Sequence, residues 1–210
     1  MSMAKIPKKV QELLDQLAKD GIVPVGKLPK EEWDAYVEKL RRNEEPLIKA
    51  LDEVGVRVNS VWDLVNTREP YPDALPVLIE HLKGSYHPKI LAGIARALAV
   101  RDQFAIEYAW PVALDLYLRT EAEEVVREPE MRGFKDGLAV VLSVLCTEER
   151  LSQIFKLIGD PIHGGSRAFL IDGLRKFRKN EKVKEFLNSL YDDPYWGELA
   201  KKVAKGAQSR

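Results

Sequence analysis

Apolar residues recur at helical spacing along most of the chain, and the clearest instance is 75–100, LPVLIEHLKGSYHPKILAGIARALAV. Leu75, Leu78, Ile79 and Leu82 form one set and Ile90, Leu91, Ile94 and Leu98 a second, with a polar corner containing Gly84 and Pro88 between them. Steps of three and four residues put each set on one face of an α-helix. The stretch therefore predicts a helix, a tight corner and a second helix. Ala92, Gly93, Ala95 and Ala97 fill the second helix between its larger residues. Small side chains at that density let backbones approach closely, which predicts packing on more than one side.

The same periodicity predicts elements on either side. Residues 5–19 suit an amphipathic helix with Val10, Leu13, Leu14 and Leu17 on one face. Pro29 suits the first position of the next helix, Glu31 and Glu32 its positive end, and Trp33, Tyr36, Val37 and Leu40 one face of it. Pro46 is expected to interrupt or restart that helix, because proline has no N–H and clashes with the preceding turn. Val56-Arg57-Val58 reads as a connector, since nothing nearby could pair with it. Ser60 and Asp63 make a capping box for a helix with Val61, Leu64 and Val65 facing inward.

Beyond the opening stretch, Asp102 caps a helix through Ile106, Trp110, Leu114 and Tyr117, which Pro111 should kink. An acidic link at 121–130 leads to a strongly apolar helix with Leu138, Val141, Leu142 and Leu145. Thr147 is the expected cap of the next, which bears Leu151, Ile154, Phe155 and Ile158. After a GDPIHGG corner, Phe169, Leu170, Leu174 and Phe177 line its partner. Asn180 caps a helix with Val183, Phe186 and Leu187, and DDPYW turns into a last helix that frays near Ala207. No strand is predicted. The chain reads as all-α.

Pro88, Pro129, Pro161 and Pro194 each fall at the corner of a predicted helix pair, 41, 32 and 33 residues apart. A helical hairpin recurring at that interval predicts pairs that bury their apolar faces by stacking on one another. The corner dipeptides Asp160-Pro161 and Asp193-Pro194, Arg167 downstream, the Ala-Arg-Ala-Leu run at 95–98 and Pro111 together resemble HEAT repeats. The resemblance covers about 73–206. It implies a right-handed α-solenoid of stacked antiparallel helix pairs, about four of them over 71–206, with 1–70 as a helical capping region of the same continuous domain. It also implies that Asp160 and Arg167 belong to a charge ladder between repeats. The first interval is longer than the others and holds the acidic link, where a solenoid tolerates extra length. The copy at 75–100 has His87-Pro88 in place of Asp-Pro and carries Arg96.

Charge and chemistry narrow the function. The 33 basic and 33 acidic residues cancel, which argues against a general affinity for nucleic acid or anionic membrane. The balance is uneven locally, net −6 over 102–150 and net +5 over 167–210. A single cysteine, Cys146, cannot form an internal disulfide and reads as a buried thiol. His81, His87 and His163 lack a second ligand at metal spacing, so no metal site, cofactor or catalytic set is expected. No stretch has the roughly 20 apolar residues a membrane span needs, and the charged N-terminus lacks a signal-peptide core. The expected compartment is the cytoplasm.

These readings favour a non-enzymatic interaction module, an adaptor, scaffold or immunity-type protein. It would bind a protein or peptide on the concave face lined by the second helix of each pair. The polar candidates on that face are Arg96, Lys135, Arg167, Asp172 and Lys202. The alternative is a nucleic-acid binder, since some HEAT-like proteins are glycosylases for alkylated bases. The basic cluster Arg175, Lys176, Arg178, Lys179, Lys182 and Lys184 supports it, and the neutral total and acidic middle repeat oppose it. A chromophore-attaching lyase is a third class, which requires an apolar cleft of tetrapyrrole size.

Overall fold

A computed structural model describes residues 29–123, 125–126 and 132–206, and among these the chain forms ten α-helices and no strand. The helix predicted over 5–19, Pro129 and the tail from Ala207 lie outside the described residues. No helix among the described residues is long and apolar enough to cross a membrane. The chain divides into two compact units, Met1–Arg42 and Asn43–Arg210.

The first helix, α1 (Lys30–Glu53), runs unbroken through Pro46, so the expected interruption does not occur. An interior proline costs about 3 kcal/mol. Leu47 and Leu51, both fully buried just beyond it, each contribute roughly 1.5–3 kcal/mol, enough to hold the helix. Within the first unit, Trp33 and Val37 stay 45% and 43% exposed, while Tyr36 and Leu40 of the same apolar face are half-buried. On the same segment Arg41 and Arg42 each donate to Glu38 at 2.9 Å and hold its carboxyl down at about 2.

In the second unit α2 (Val61–Asn66) starts at the predicted capping box, with Ser60 Oγ accepting from Trp62 N–H and Asp63 accepting from Ser60 N–H at 3.1 Å. Glu44, 7% exposed, accepts from Val61 N–H at 2.6 Å and from the Ser60 hydroxyl at 3.0 Å. It thereby satisfies orphan donors at the helix start. Then come α3 (Ala74–Leu82) and α4 (Pro88–Ala97), whose buried residues include Leu75, Leu78, Ile79 and Leu82, and Ile90 and Ile94, as the periodicity predicts. Asp102 accepts from Phe104 N–H at 2.8 Å and Ala105 N–H at 3.2 Å, as expected of a cap. The kink foreseen at Pro111 takes the form of a π-turn over Ala105–Ala109 that leads straight into α5 (Trp110–Arg119). Pro111 has no N–H to give the carbonyl four residues back, Glu107, and the widened turn absorbs that loss.

Four elements follow the acidic link, α6 (Phe134–Leu145), α7 (Leu151–Gly159), α8 (Arg167–Gly173) and α9 (Glu181–Ser189), before the last, α10 (Gly197–Lys205). Glu123, from the link, accepts from the N–H groups of Gly133 at 2.7 Å and Lys135 at 2.9 Å, so this acidic segment caps α6. Thr147 supplies no side-chain cap. The chain instead enters α7 through a 3-10 turn, Glu148–Arg150, anchored by Arg150 donating to Ile106 O at 2.9 Å and Leu145 O at 3.3 Å.

Contacts between elements follow a simple order. Helices α2, α4, α6, α8 and α10 each pack on the next, and α3, α5, α7 and α9 each pack on the helix that follows them in sequence. Close approach along the first set is set by glycine. A Cβ at Gly93 of α4 would come within 2.5 Å of Val61 Cγ1 on α2. At Gly137 of α6 it would lie 3.1 Å from Ala92 O on α4, and at Gly173 of α8 it would lie 2.6 Å from Ser143 Cβ on α6. Each helix therefore meets its predecessor where a side chain is missing, which is the physical content of the small-residue pattern at 92–97.

Candidate functional site

The ordered packing places the C-terminal ends of α2, α4, α6 and α8 along one surface, and two adjoining grooves lie there. One, of about 440 Å³, sits on the seam between α6 and α8 over Val140, Val144 and Phe169. Arg101, Arg175, Lys176 and Arg178 surround it, with Asp172 the acidic residue among them. The other, of about 480 Å³, lies between the ends of α2 and α4 and is lined by Arg68, Glu69, Tyr71, Arg96 and Asp102. Arg101 belongs to both and joins them.

Helix C-termini carry partial negative charge and unpaired carbonyls, so cations near them need sorting by what they already hold. Lys176 Nζ donates to Val144 O at 2.7 Å and Cys146 O at 2.8 Å, closing the end of α6. Burial lowers its pKa, and Arg101 adds to the effect. Arg175 is paired with Asp172. Arg178 makes one long bond, 3.3 Å, to Arg175 O. Arg68, Arg96 and Arg101 have no hydrogen-bond or ion-pair partner among the described residues. On the acidic side Asp172 is used by Arg175 and Asp102 by its helix cap, while the Glu69 carboxylate holds no side chain among the described residues and offsets one cation of the second groove. Surplus positive charge thus sits on Arg68, Arg96, Arg101 and Arg178.

A second polar cluster is sealed inside the unit. Lys135, 2% exposed, donates to Tyr117 O at 3.1 Å and to Thr120 O, capping α5, and its ammonium lies 4.7 Å from the Tyr117 ring centre. Tyr117 donates its hydroxyl to Ser166 Oγ at 2.7 Å, and Ser166 donates to His163 O at 2.7 Å. Burial raises the Tyr117 hydroxyl to about 12. The His163 ring packs 4.7 Å from that of Tyr117, and its Nδ1 has no partner. Burial, with help from Lys135, lowers its pKa. Ser166 spends its proton on a carbonyl rather than on an imidazole, so the pair is not poised as nucleophile and base. Burial likewise pushes the Cys146 thiol up to about 11, which keeps it protonated and unreactive. No group of three or more His, Cys, Asp or Glu among the described residues could hold a metal ion.

The five residues singled out in the sequence fall in different places. Arg96 and Asp172 line the grooves. Lys135 is buried, because the end of α5 needs its ammonium, and no partner could reach it. Arg167 donates to Gly164 O at 2.9 Å and Ile158 O at 3.3 Å and lies over the Trp196 ring, closing the end of α7. Asp160, its expected ladder partner, instead caps the following turn through Ile162 N–H at 3.0 Å. Lys202 is exposed on α10, away from both grooves. Arg101 went unnoticed in the sequence. It stands in the connector Val100-Arg101-Asp102, where the eye takes the start of the next helix, and only the packing of α4 against α6 brings it to the groove. Comparison of the chain with protein-family models, curated proteins and solved structures finds no match in any of the three.

Proposed function

We propose that the chain is a HEAT-like right-handed solenoid and a non-enzymatic interaction module, which binds a protein or peptide on the face made by the C-terminal ends of α4, α6 and α8. The observation that carries this reading is the successive packing of α2, α4, α6, α8 and α10 with a partner helix for each of the last four. Repeated pairs packed in that order present equivalent positions side by side and so build an extended surface. An apolar floor of Val140, Val144 and Phe169 with Arg101 and Arg178 beside it has the make-up of a protein contact, apolar within and polar at the rim. Of the groups near this face that could do chemistry, Ser143 donates to Ala139 O and Phe169 O, Lys176 holds two carbonyls and Cys146 is buried, which favours binding over catalysis. Glu69, Asp102 and Asp172 along the same grooves weigh against a phosphate backbone as the ligand.

Site-specific photo-crosslinking in cells tests the reading. A photoreactive residue replacing Val144 is expected to trap a discrete protein, and one replacing Glu185 on α9 is expected to trap none. Equal trapping from both positions, or none from Val144, contradicts the assignment of this face.

A further inference from the structure

The groove's partner can be specified further, and the specification rests on the binding reading above. We infer that the occupant is an acidic, extended peptide segment. Its carboxylates pair with Arg101 and Arg178, and an apolar side chain between them enters the floor formed by Val140, Val144 and Phe169. A third carboxylate N- or C-terminal to these reaches Arg96 across the junction of the two grooves.

Three observations carry this. First, the cations divide into those already used and those left over. Lys176 is committed to two carbonyls and Arg175 to Asp172, so a count of basic residues alone overstates the site. Arg68, Arg96 and Arg101 have no partner among the described residues, and Arg178 makes a single long bond to a carbonyl. The surplus is entirely arginine, whose planar fork matches a carboxylate with two parallel hydrogen bonds. Second, the surplus stands beside apolar surface rather than on a uniformly charged face. Val140, Val144 and Phe169 lie in the same groove as Arg101 and Arg178, a layout that takes a carboxylate, an apolar side chain and a carboxylate at every second position of an extended strand. In an extended strand successive side chains point to opposite sides, so residues two apart share a face. Third, the two grooves, about 440 and 480 Å³, share Arg101. A chain long enough to pass Arg101 can enter both, which a small anion cannot.

Nucleic acid has the charge for such a site but not the shape of its surface. A nucleic-acid backbone carries a charge at every step and so meets Glu69, Asp102 and Asp172 as well as the arginines, whereas a peptide carries carboxylates only opposite the arginines. The rings that line the two grooves among the described residues, Phe169 and Tyr71, are half-buried, and the Tyr71 hydroxyl is held by Ala97 O at 2.8 Å, so neither stands open for a base to stack on.

Panning a phage library of random dodecapeptides on the intact chain tests the inference. Enriched sequences are expected to carry Asp or Glu two residues before and two residues after an apolar residue. Their affinity, read by fluorescence anisotropy, should fall at least about tenfold in R101E and in R178E and stay unchanged in K202E. R101A and R178A, checked for an unaltered melting profile, guard against misfolding of the reversed variants and should lose affinity to a smaller extent. The inference is overturned by an enriched set without acidic residues, by no enrichment, or by affinities that K202E changes as much as R101E. It is also overturned if a labelled DNA duplex binds at low salt and loses affinity in R101E, since the face is then a polyanion site. A protein trapped from Val144 together with failed enrichment of acidic peptides leaves the interaction module standing and removes only the acidic partner.

Discussion

The two seams that α6 makes are built differently. Against α4 it packs through Gly137 on Ala92 and Ala95, a contact between small apolar side chains and backbone. Against α8 it meets Gly173 with Ser143, whose hydroxyl is hydrogen-bonded to Ala139 O at 2.8 Å and Phe169 O at 2.7 Å. Around that second seam lie Lys135, Tyr117, His163 and Ser166, all buried. The first seam is held by van der Waals fit and the second by fit together with the hydrogen bonds of Lys135, Tyr117, Ser143 and Ser166, with His163 Nδ1 left unpaired among them. The groove over Val140, Val144 and Phe169 opens on the second. Polar satisfaction fixes a unique arrangement more strictly than apolar contact does, so the part of the molecule that frames the groove is also the part whose geometry is most closely specified.

The largest effect that separates the seams is expected from Lys135→Ala. It removes a buried ammonium and leaves the carbonyls of Tyr117 and Thr120 without a donor, at a cost of about 3 kcal/mol. Urea unfolding of the intact chain measures this, and a loss below about 1 kcal/mol shows that the cluster does not hold the second seam. Next come the glycines. Gly173→Ala pushes a methyl against Ser143 Cβ and Cα and should destabilise by about 2 kcal/mol, because main chain cannot move aside. Gly137→Ala meets Ala92 O at 3.1 Å, a smaller conflict, and gains about 1 kcal/mol of helix propensity. Its net change should be within about 1 kcal/mol, and a reversal of this order in the same unfolding series would show that the first seam is the tighter one.

Acid should distinguish the seams as well. His163 has a folded pKa below its ordinary value, because of burial and the nearby Lys135, with Arg167 acting in the same direction and Asp160 against it. The unfolded chain therefore binds a proton more readily, and stability is fully present above the unfolded value, about 6.5, and declines as pH falls through it. Hydrogen exchange, corrected for its intrinsic pH dependence, is expected to quicken over 161–177 between pH 7.5 and 5.5 and to change little over 88–97. His163→Phe should flatten that response. The smallest effect belongs to Arg96→Ala, which leaves stability within about 0.5 kcal/mol, since no structural partner depends on it. A larger loss in thermal unfolding would mean that Arg96 serves the fold rather than the groove.

Much of the fold was legible in the periodicity. The faces of α3, α4, α6 and α7, the caps at Ser60, Asp102 and Asn180, and close packing around 92–97 all follow from spacing and residue type. Pro46 reads as a break by local propensity alone, and the buried Leu47 and Leu51 outweigh that propensity. The site was less legible. A lysine or arginine reads as surface in a sequence, yet Lys135, Arg150, Arg167 and Lys176 all turn inward to close the carbonyl ends of helices, some far away in sequence. Which cations are spent this way depends on tertiary packing, and no local pattern reports it. The basic residues near 175–178 were visible as a cluster, while their separation into used and unused members, and the arrival of Arg101 beside them, were not.

Backbone amide chemical shifts of the isotope-labelled chain, recorded while an acidic peptide selected on it is titrated in, test the central claim most directly. The account predicts shifts concentrated at Arg101, at 140–144 and at 169–178, with Arg96 included and α3 and α9 silent. Shifts centred on α3 or α9, or spread evenly over the surface, contradict it.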